Sequence, residues 1–417
     1  MMTTFIGIVR EPSVVIALVT LLGLLFQRKS IPEIITGTIK SFMGFILIKL
    51  GGSIIGDSLA IFGKIFTHAF NITGIIPSNE AVLSITLDTL GVQASLILLF
   101  AMLLNIIIAR FTKFKFIYLS LHLMLFMSCA ITAVMNGLGY SQIITIIIGS
   151  IIVGIYMSIA PFALRKASAE IVGTDEYVVG HSGMIAYFIS SLVGKLVGNK
   201  EKSTESINMP KSISFLRDSI VATTLTMLAL FLIAGIKGGT GFVYELSGGL
   251  NFFVYCLKQS AMLAGGLFIA KQGVNLFTEE IVPAFKGFAD VFAPGATPAV
   301  DVLVLFDKAP NAVLIGFLVS LATGVVCILI FPIIGLPVIV PGLMACFITG
   351  GAAAIYGNAT GGLRGAIIGS ILDGLFLCVM PAVTLFIFTS MNAGNVTFAD
   401  SDFTVTSLIL WFIARFI

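Results

Sequence analysis

Three side chains in this sequence stand out chemically from their surroundings. Asp301 is alone inside Ala299-Val300-Asp301-Val302-Leu303-Val304-Leu305, His122 interrupts the apolar stretch SLHLMLF, and His181 sits by a glycine in VVGHSGM. An isolated carboxylate is costly to bury in an apolar medium, so Asp301 needs a partner or a polar cavity. A neutral imidazole can both donate and accept hydrogen bonds. The three types together suit recognition of a ligand by hydrogen bonding. Covalent or metal chemistry has no comparable support. No HExxH or paired-aspartate motif occurs in an apolar segment, which disfavours an intramembrane enzyme. The cysteines, Cys129, Cys256, Cys327, Cys346 and Cys378, are scattered singly and give neither a zinc site nor a disulfide framework.

The elements that must hold these residues are membrane helices. The chain has 417 residues, is 58% hydrophobic and 10% charged, and has a mean hydropathy of +1.11, which describes an all-α polytopic membrane protein. The net charge of +3 says nothing about nucleic acid, but no basic run interleaved with aromatics occurs and no nucleic-acid partner is expected. Hydropathy with Gly/Pro punctuation predicts about eleven spans: 13–27, 31–55, 92–111, 116–136, 141–164, 218–237, 249–276, 311–333, 336–357, 366–390 and 403–417. The first has no small-residue cleavage site before Arg28-Lys29 and reads as an uncleaved span. Basic residues gather at Arg28-Lys29, at Arg110/Lys113/Lys115, at Arg165-Lys166, between Lys195 and Arg217, and at Arg364. The positive-inside rule then places the N-terminus outside and the C-terminus in the cytoplasm of a multi-pass protein.

Residues 74–91 and 294–310 are apolar, broken by Pro, Gly and charge, and too short to cross, so they read as re-entrant hairpins. Residues 178–198 are a third re-entrant candidate, flanked on both sides by basic residues. Sliding the chain against itself by 222 residues aligns Gly44, Lys49, Gly51, Lys64, Phe66 and Phe70 with Gly266, Lys271, Gly273, Lys286, Phe288 and Phe292. These are six identities in 27 positions, against roughly two expected from the composition. The shift also lays one hairpin on the other, with Asp301 opposite Asn79, or Glu80 after a one-residue slip. The equivalent spans run in opposite directions, which predicts two inverted repeats of the kind found in alternating-access carriers. The expected organisation is a first repeat over 1–197 and a cytoplasmic linker over 198–217. A second repeat over 218–402 and a last span over 403–417 complete it.

The stretches ITGTIKSFMGFILIKLGG, INMPKSISFLRDSIVATT, KQGVNLFTEEIVPAFKG and APGATPAVD…KAPNAVLIGF resemble the membrane (IIC) permease of the ascorbate-type bacterial phosphotransferase system, from about residue 15 to about 390. The resemblance implies a homodimer in the cytoplasmic membrane, each protomer pairing a scaffold with a mobile substrate-carrying core. It implies a sugar-acid substrate, ascorbate or a relative, and cytoplasmic IIA and IIB partners. Phosphocysteine on IIB would phosphorylate the sugar as it arrives inside. The sequence ends at Ile417 within the expected last span, so the phosphoryl donor is expected to be another chain and this one a transport subunit without a cofactor.

The resemblance carries substrate contact onto His122, His181 and Asp301. Four further positions depart from the family pattern. Phe126 and Ser182 stand where the family has glutamines, and Asn79-Glu80 stands for a Thr-Tyr pair. Ser182 and Asn79 keep hydrogen-bonding capacity, Phe126 loses an amide, and Glu80 brings a second acid near Asp301. Ascorbate is an anion at neutral pH, and each unscreened carboxylate near it costs on the order of 1 kcal/mol or more. These departures leave room for a different polyol or sugar acid; an ion-coupled secondary transporter is the reading from outside the family.

Other polar features carry less. Lys49 and Lys271 either pair with acids or hairpin carbonyls, or snorkel. Glu279, Glu280 and Lys286 read as a solvated amphipathic face, and Asn358 to Gly362 as a helix-terminating turn. The hydrophilic stretch from Lys195 to Arg217 suits a IIB docking surface or a plain solvated linker.

Overall fold

The structure is a computed structural model that describes residues 12–71, 74–208, 215, 218–389 and 396–415. Its helices are α1 (Pro12–Phe26), α2 (Ile31–Phe70), α3 (Asn79–Phe111), α4 (Leu121–Gly137), α5 (Gln142–Val172) and α6 (Met184–Val197). After the linker come α7 (Ser219–Gly238), α8 (Thr240–Leu246), α9 (Phe252–Phe292), α10 (Pro310–Ile330), α11 (Leu343–Thr389) and α12 (Ser401–Ile413). Among the described residues, seven helices are long and apolar enough to cross a membrane, and α4, α6 and α12 are shorter apolar helices. α5 shows outward apolar surface plainly: Ile143, Ile147, Ile151, Ile155 and Ile159 are exposed at every fourth position, a stripe suited to lipid.

Several expected boundaries move, each for a local reason. The expected spans 31–55 and 249–276 are parts of α2 and α9, of 40 and 41 residues. At 1.5 Å per residue each is about 60 Å long, roughly twice the hydrocarbon thickness. They pack against each other through glycines, because a Cβ on Gly51 would lie 2.5 Å from the Ala270 nitrogen, and one on Gly273 2.5 Å from the Gly44 oxygen. Residues 74–91 and 92–111 do not form a hairpin and a separate span. After strand β1 (Gly74–Pro77), α3 runs unbroken through Gly91. Asp88, one of the charges that suggested a break, pairs with Lys49 at 2.5 Å. Glu280 likewise leaves the expected solvated face to pair with Lys40 at 2.9 Å. The expected spans 336–357 and 366–390 correspond to the two arms of α11, which starts only at Leu343 and is described to Thr389, position 390 lying outside the described residues. The chain doubles back between them at Gly362 (φ 60°), so Gly357 lies against Gly365.

The strands are short and all parallel. β1, β5 (Val338–Ile339) and β6 (Val396–Thr397) form one sheet in the order β5-β1-β6. β2 (Phe116–Tyr118), β3 (Val178–Val179) and β4 (Thr297–Val300) form the other, in the order β2-β4-β3. Pairing satisfies backbone groups that would be untenable in lipid. Each strand leads into a helical segment: β1 into α3, β2 into α4, β3 into α6, β5 into α11, β6 into α12, and β4 into the 3₁₀ turn Val302–Leu305. The linker is more than a solvated strap. Thr204 is buried, Glu205 accepts from the Asn311 and Ala312 nitrogens at the start of α10, and Asn358 accepts from the Thr204 nitrogen at 2.8 Å.

Candidate functional site

A cavity of about 300 Å³ lies where the strand-to-helix junctions converge. All six junctions contribute lining: Ser78, Asn79 and Glu80 after β1; His122, Leu123 and Phe126 after β2; His181 after β3; Asp301 and Leu303 after β4; Val340 to Ala345 after β5; Ala399 and Asp400 after β6. Helices α2, α7 and α9 close the remaining side, largely with apolar residues such as Ile55, Leu59, Met227, Leu263 and Leu267. The volume falls at the lower end of small-molecule pockets, and an apolar wall facing a few convergent polar groups is their usual make-up.

Of the seven side chains singled out from the sequence, six line this cavity: Asn79, Glu80, His122, Phe126, His181 and Asp301. Ser182 does not. His122 is not mid-span either. β2 and the turn after it occupy the expected start of that span, which places His122 second in α4. α4 is buried on almost every residue up to Met135, and its N-terminal end is the part that lines the cavity.

His122 Nε2 lies 3.4 Å from Asp301 Oδ2, and its Nδ1 is buried with no hydrogen-bond partner among the described residues. Asp301 Oδ1 also caps the 3₁₀ turn, accepting from the Leu303 nitrogen at 3.1 Å. His181 is held more tightly. Its Nδ1 accepts from the Gly183 nitrogen at 3.2 Å and lies 2.9 Å from the Tyr187 hydroxyl. An Nδ1 that accepts from a backbone N–H leaves the proton of the neutral ring on Nε2. His181 can therefore present a donor to the cavity. Phe126 packs edge-on to His122 and to Phe403, with ring centroids 6.3 and 6.0 Å away.

Two acids that sequence reasoning overlooked organise this region. Asp400 accepts from Asn79 Nδ2 at 2.8 Å and from the Ser182 hydroxyl, while Asn79 Oδ1 accepts from the Ala399 nitrogen at 2.8 Å. Asn79 and Ser182, both expected to touch substrate, are thus already engaged with Asp400. Asp402 is fully buried and accepts from the Met184 and Ile185 nitrogens at 2.9 and 3.2 Å. It caps α6, whose own N-cap residue, Gly183, has no side chain to do so. The Tyr156 hydroxyl lies 2.5 Å from Asp402 and 2.8 Å from the His181 carbonyl oxygen. Glu80 has a near partner in the Ser78 hydroxyl, at 3.3 Å.

A family model for the sugar-specific permease component of the phosphotransferase system matches residues 7–402. The chain belongs to that family. An ascorbate-specific EIIC component from Mycoplasma pneumoniae is 25% identical to this permease over 414 residues, covering 86% of this chain and 62% of the relative. The permease therefore spans under two thirds of that relative's length. The family match covers α1 through β6 and the junction after it, and so includes every residue lining the cavity.

Proposed function

We propose that this chain is the EIIC subunit of a phosphoenolpyruvate-dependent phosphotransferase system, binding ascorbate or a related sugar acid in the cavity between the strand-to-helix junctions. The observation that carries the reading is the convergence of His122, His181 and Asp301 on one cavity in a chain of this permease family. Their donors and acceptors match a ring of hydroxyls. Transport proceeds by elevator-type alternating access in a homodimer. A separate IIB protein, charged by IIA, phosphorylates the sugar on the cytoplasmic side. Phe126 on the cavity wall, and Asn79 and Ser182 engaged with Asp400, favour a second reading within the family: a polyol or sugar acid other than ascorbate.

The two inverted repeats belong to the same proposal, and element positions support them. Shifted by 222, α2 falls on α9 and the start of α4 on the start of α11. The sheet order β5-β1-β6 becomes β2-β4-β3 when β1, β2 and β3 are exchanged with β4, β5 and β6. β1 overlies β4 at a shift of 223, which puts Ser78, rather than Asn79 or Glu80, opposite Asp301. Both residues cap the helical segment that follows them.

Purified protein in liposomes is expected to phosphorylate ascorbate from phosphoenolpyruvate only once the general phosphotransferase proteins, IIA and IIB are supplied. Uphill uptake driven by protons or sodium without them would replace this reading with a secondary transporter. The proposed orientation, N-terminus outside and C-terminus cytoplasmic, has its own check. Cysteines at the exposed positions Thr240 and Glu201 should differ, with only the first labelled by an impermeant thiol reagent from outside. Labelling of Glu201→Cys from that side reverses the orientation.

A further inference from the structure

The cavity presents an electrostatic conflict. Its lining includes three acids, Glu80, Asp301 and Asp400, and a ligand that is itself an anion would be repelled by each. The geometry moderates this repulsion, because each acid already has a donor or partner: Ser78 for Glu80, His122 and the Leu303 nitrogen for Asp301, Asn79 and Ser182 for Asp400. One lining residue is different. Lys271, on α9, is the single lysine or arginine among the described residues that line the cavity, and it makes no ion pair or hydrogen bond with any described residue.

Its counterpart in the first half of the sequence, by contrast, is paired. Lys49 aligns with Lys271 at the 222-residue shift, and Lys49 pairs with Asp88. The same shift takes Asp88 to Pro310, and a one-residue slip takes it to Asn311; neither is acidic. One lysine of the equivalent pair therefore has its acid, and the other has none at the aligned position. Its neighbours along the cavity side of α9 are Leu263, Leu267, Ala270 and Asn275, so no carboxylate of its own helix stands beside it in the lining.

We propose that Lys271 is the anion-recognising residue of the cavity, pairing with the negative charge of a sugar acid whose hydroxyls are held across the cavity by His122, His181 and Asp301. This rests on the permease reading and adds to it the residue that selects its sugar-acid substrate over neutral polyols, by one ammonium group. An exposed lysine could instead meet a lipid phosphate, and the test separates the two sources.

Binding of L-ascorbate, D-galacturonate and galactitol to purified protein is measured by calorimetry, for the wild type and for Lys271→Met, Lys271→Arg and His122→Ala. Lys271 is exposed and pairs with no described residue, so its variants should melt with the wild type. The expected result is that the wild type binds an anionic sugar and that Lys271→Met weakens this about 10-fold or more. Lys271→Arg should retain most of the affinity, while His122→Ala loses it for a different reason, a hydroxyl contact. If Lys271→Met binds the acid as the wild type does while His122→Ala does not, Lys271 serves a lipid or nothing and the inference falls while the permease site stands. Wild-type binding of galactitol in preference to both acids also overturns it. Binding of none of the three removes the proposed substrate class, and Lys271's role with it.

Discussion

Asp301→Asn is expected to weaken substrate binding about 10- to 100-fold while leaving the protein folded. The substitution keeps the shape of the side chain and its capacity to cap the 3₁₀ turn through Oδ1, which accepts from the Leu303 nitrogen. It removes the charge that faces His122 Nε2 at 3.4 Å. Losing one hydrogen bond to a charged acceptor is worth roughly 1.5–3 kcal/mol, which gives that range of affinity. His122→Ala should cost a similar amount, and the double variant should lose less than the sum. Asp301 and His122 touch each other and would share one ligand, and such pairs are non-additive. Titration calorimetry on the two single variants and the double variant completes the cycle. If Asp301→Asn binds normally and the melting temperature falls sharply, Asp301 anchors the fold and the site is misplaced. Strict additivity would mean that the two residues do not meet on one ligand.

How far the sequence could be read depends on which interactions are local. Helices were legible because apolar runs and Gly/Pro breaks are properties of neighbouring residues. His122, His181 and Asp301 were legible because a polar side chain in an apolar run is conspicuous wherever it lies. The misplaced boundaries arise where a distant partner overrides the local signal. The charge at Asp88 suggested a loop, yet Lys49 on α2 neutralises it and α3 continues. Parallel strand pairing was invisible for the same reason. Phe116 to Tyr118 look like the start of a span, and only Thr297 to Ala299, far along the chain, draw them into a sheet and push His122 to a helix start.

Asp400 and Asp402 were missed for the opposite reason. In VTFADSDF the two acids flank a serine after a stretch free of Lys and Arg, which reads as a solvated connection. Pairing of β6 with β1 buries that segment instead. A signal was present. The segment after β3 resembles the one after β6 in its sequence of strand, polar turn and short apolar helix, with Val178 opposite Val396 at a shift of 218. A gap-free slide of 222 steps past it. At that shift Ser182 falls opposite Asp400, the residue it bonds.

Asp402→Ala should be the most destabilising single change in the region. Asp402 has no exposed surface and holds α6 from outside, accepting from the Met184 and Ile185 nitrogens, from the Ser401 hydroxyl, and lying against the Tyr156 hydroxyl. Alanine leaves two backbone donors at a helix start with no acceptor, one buried and one partly buried, and each such loss costs about 1–3 kcal/mol when buried. The turn that carries His181 immediately precedes α6, so its position depends on the same cap. The expected outcome is a loss of about 3 kcal/mol or more in stability, with ligand affinity falling because His181 Nε2 is no longer held in place. Asp402→Asn retains one acceptor oxygen and the shape, and should recover part of both. Thermal unfolding with and without ligand tests this: the melting temperature and the affinity should fall together and return together across the two variants. Normal melting with abolished binding would overturn the capping role, since Asp402 is fully buried and is not among the residues lining the cavity.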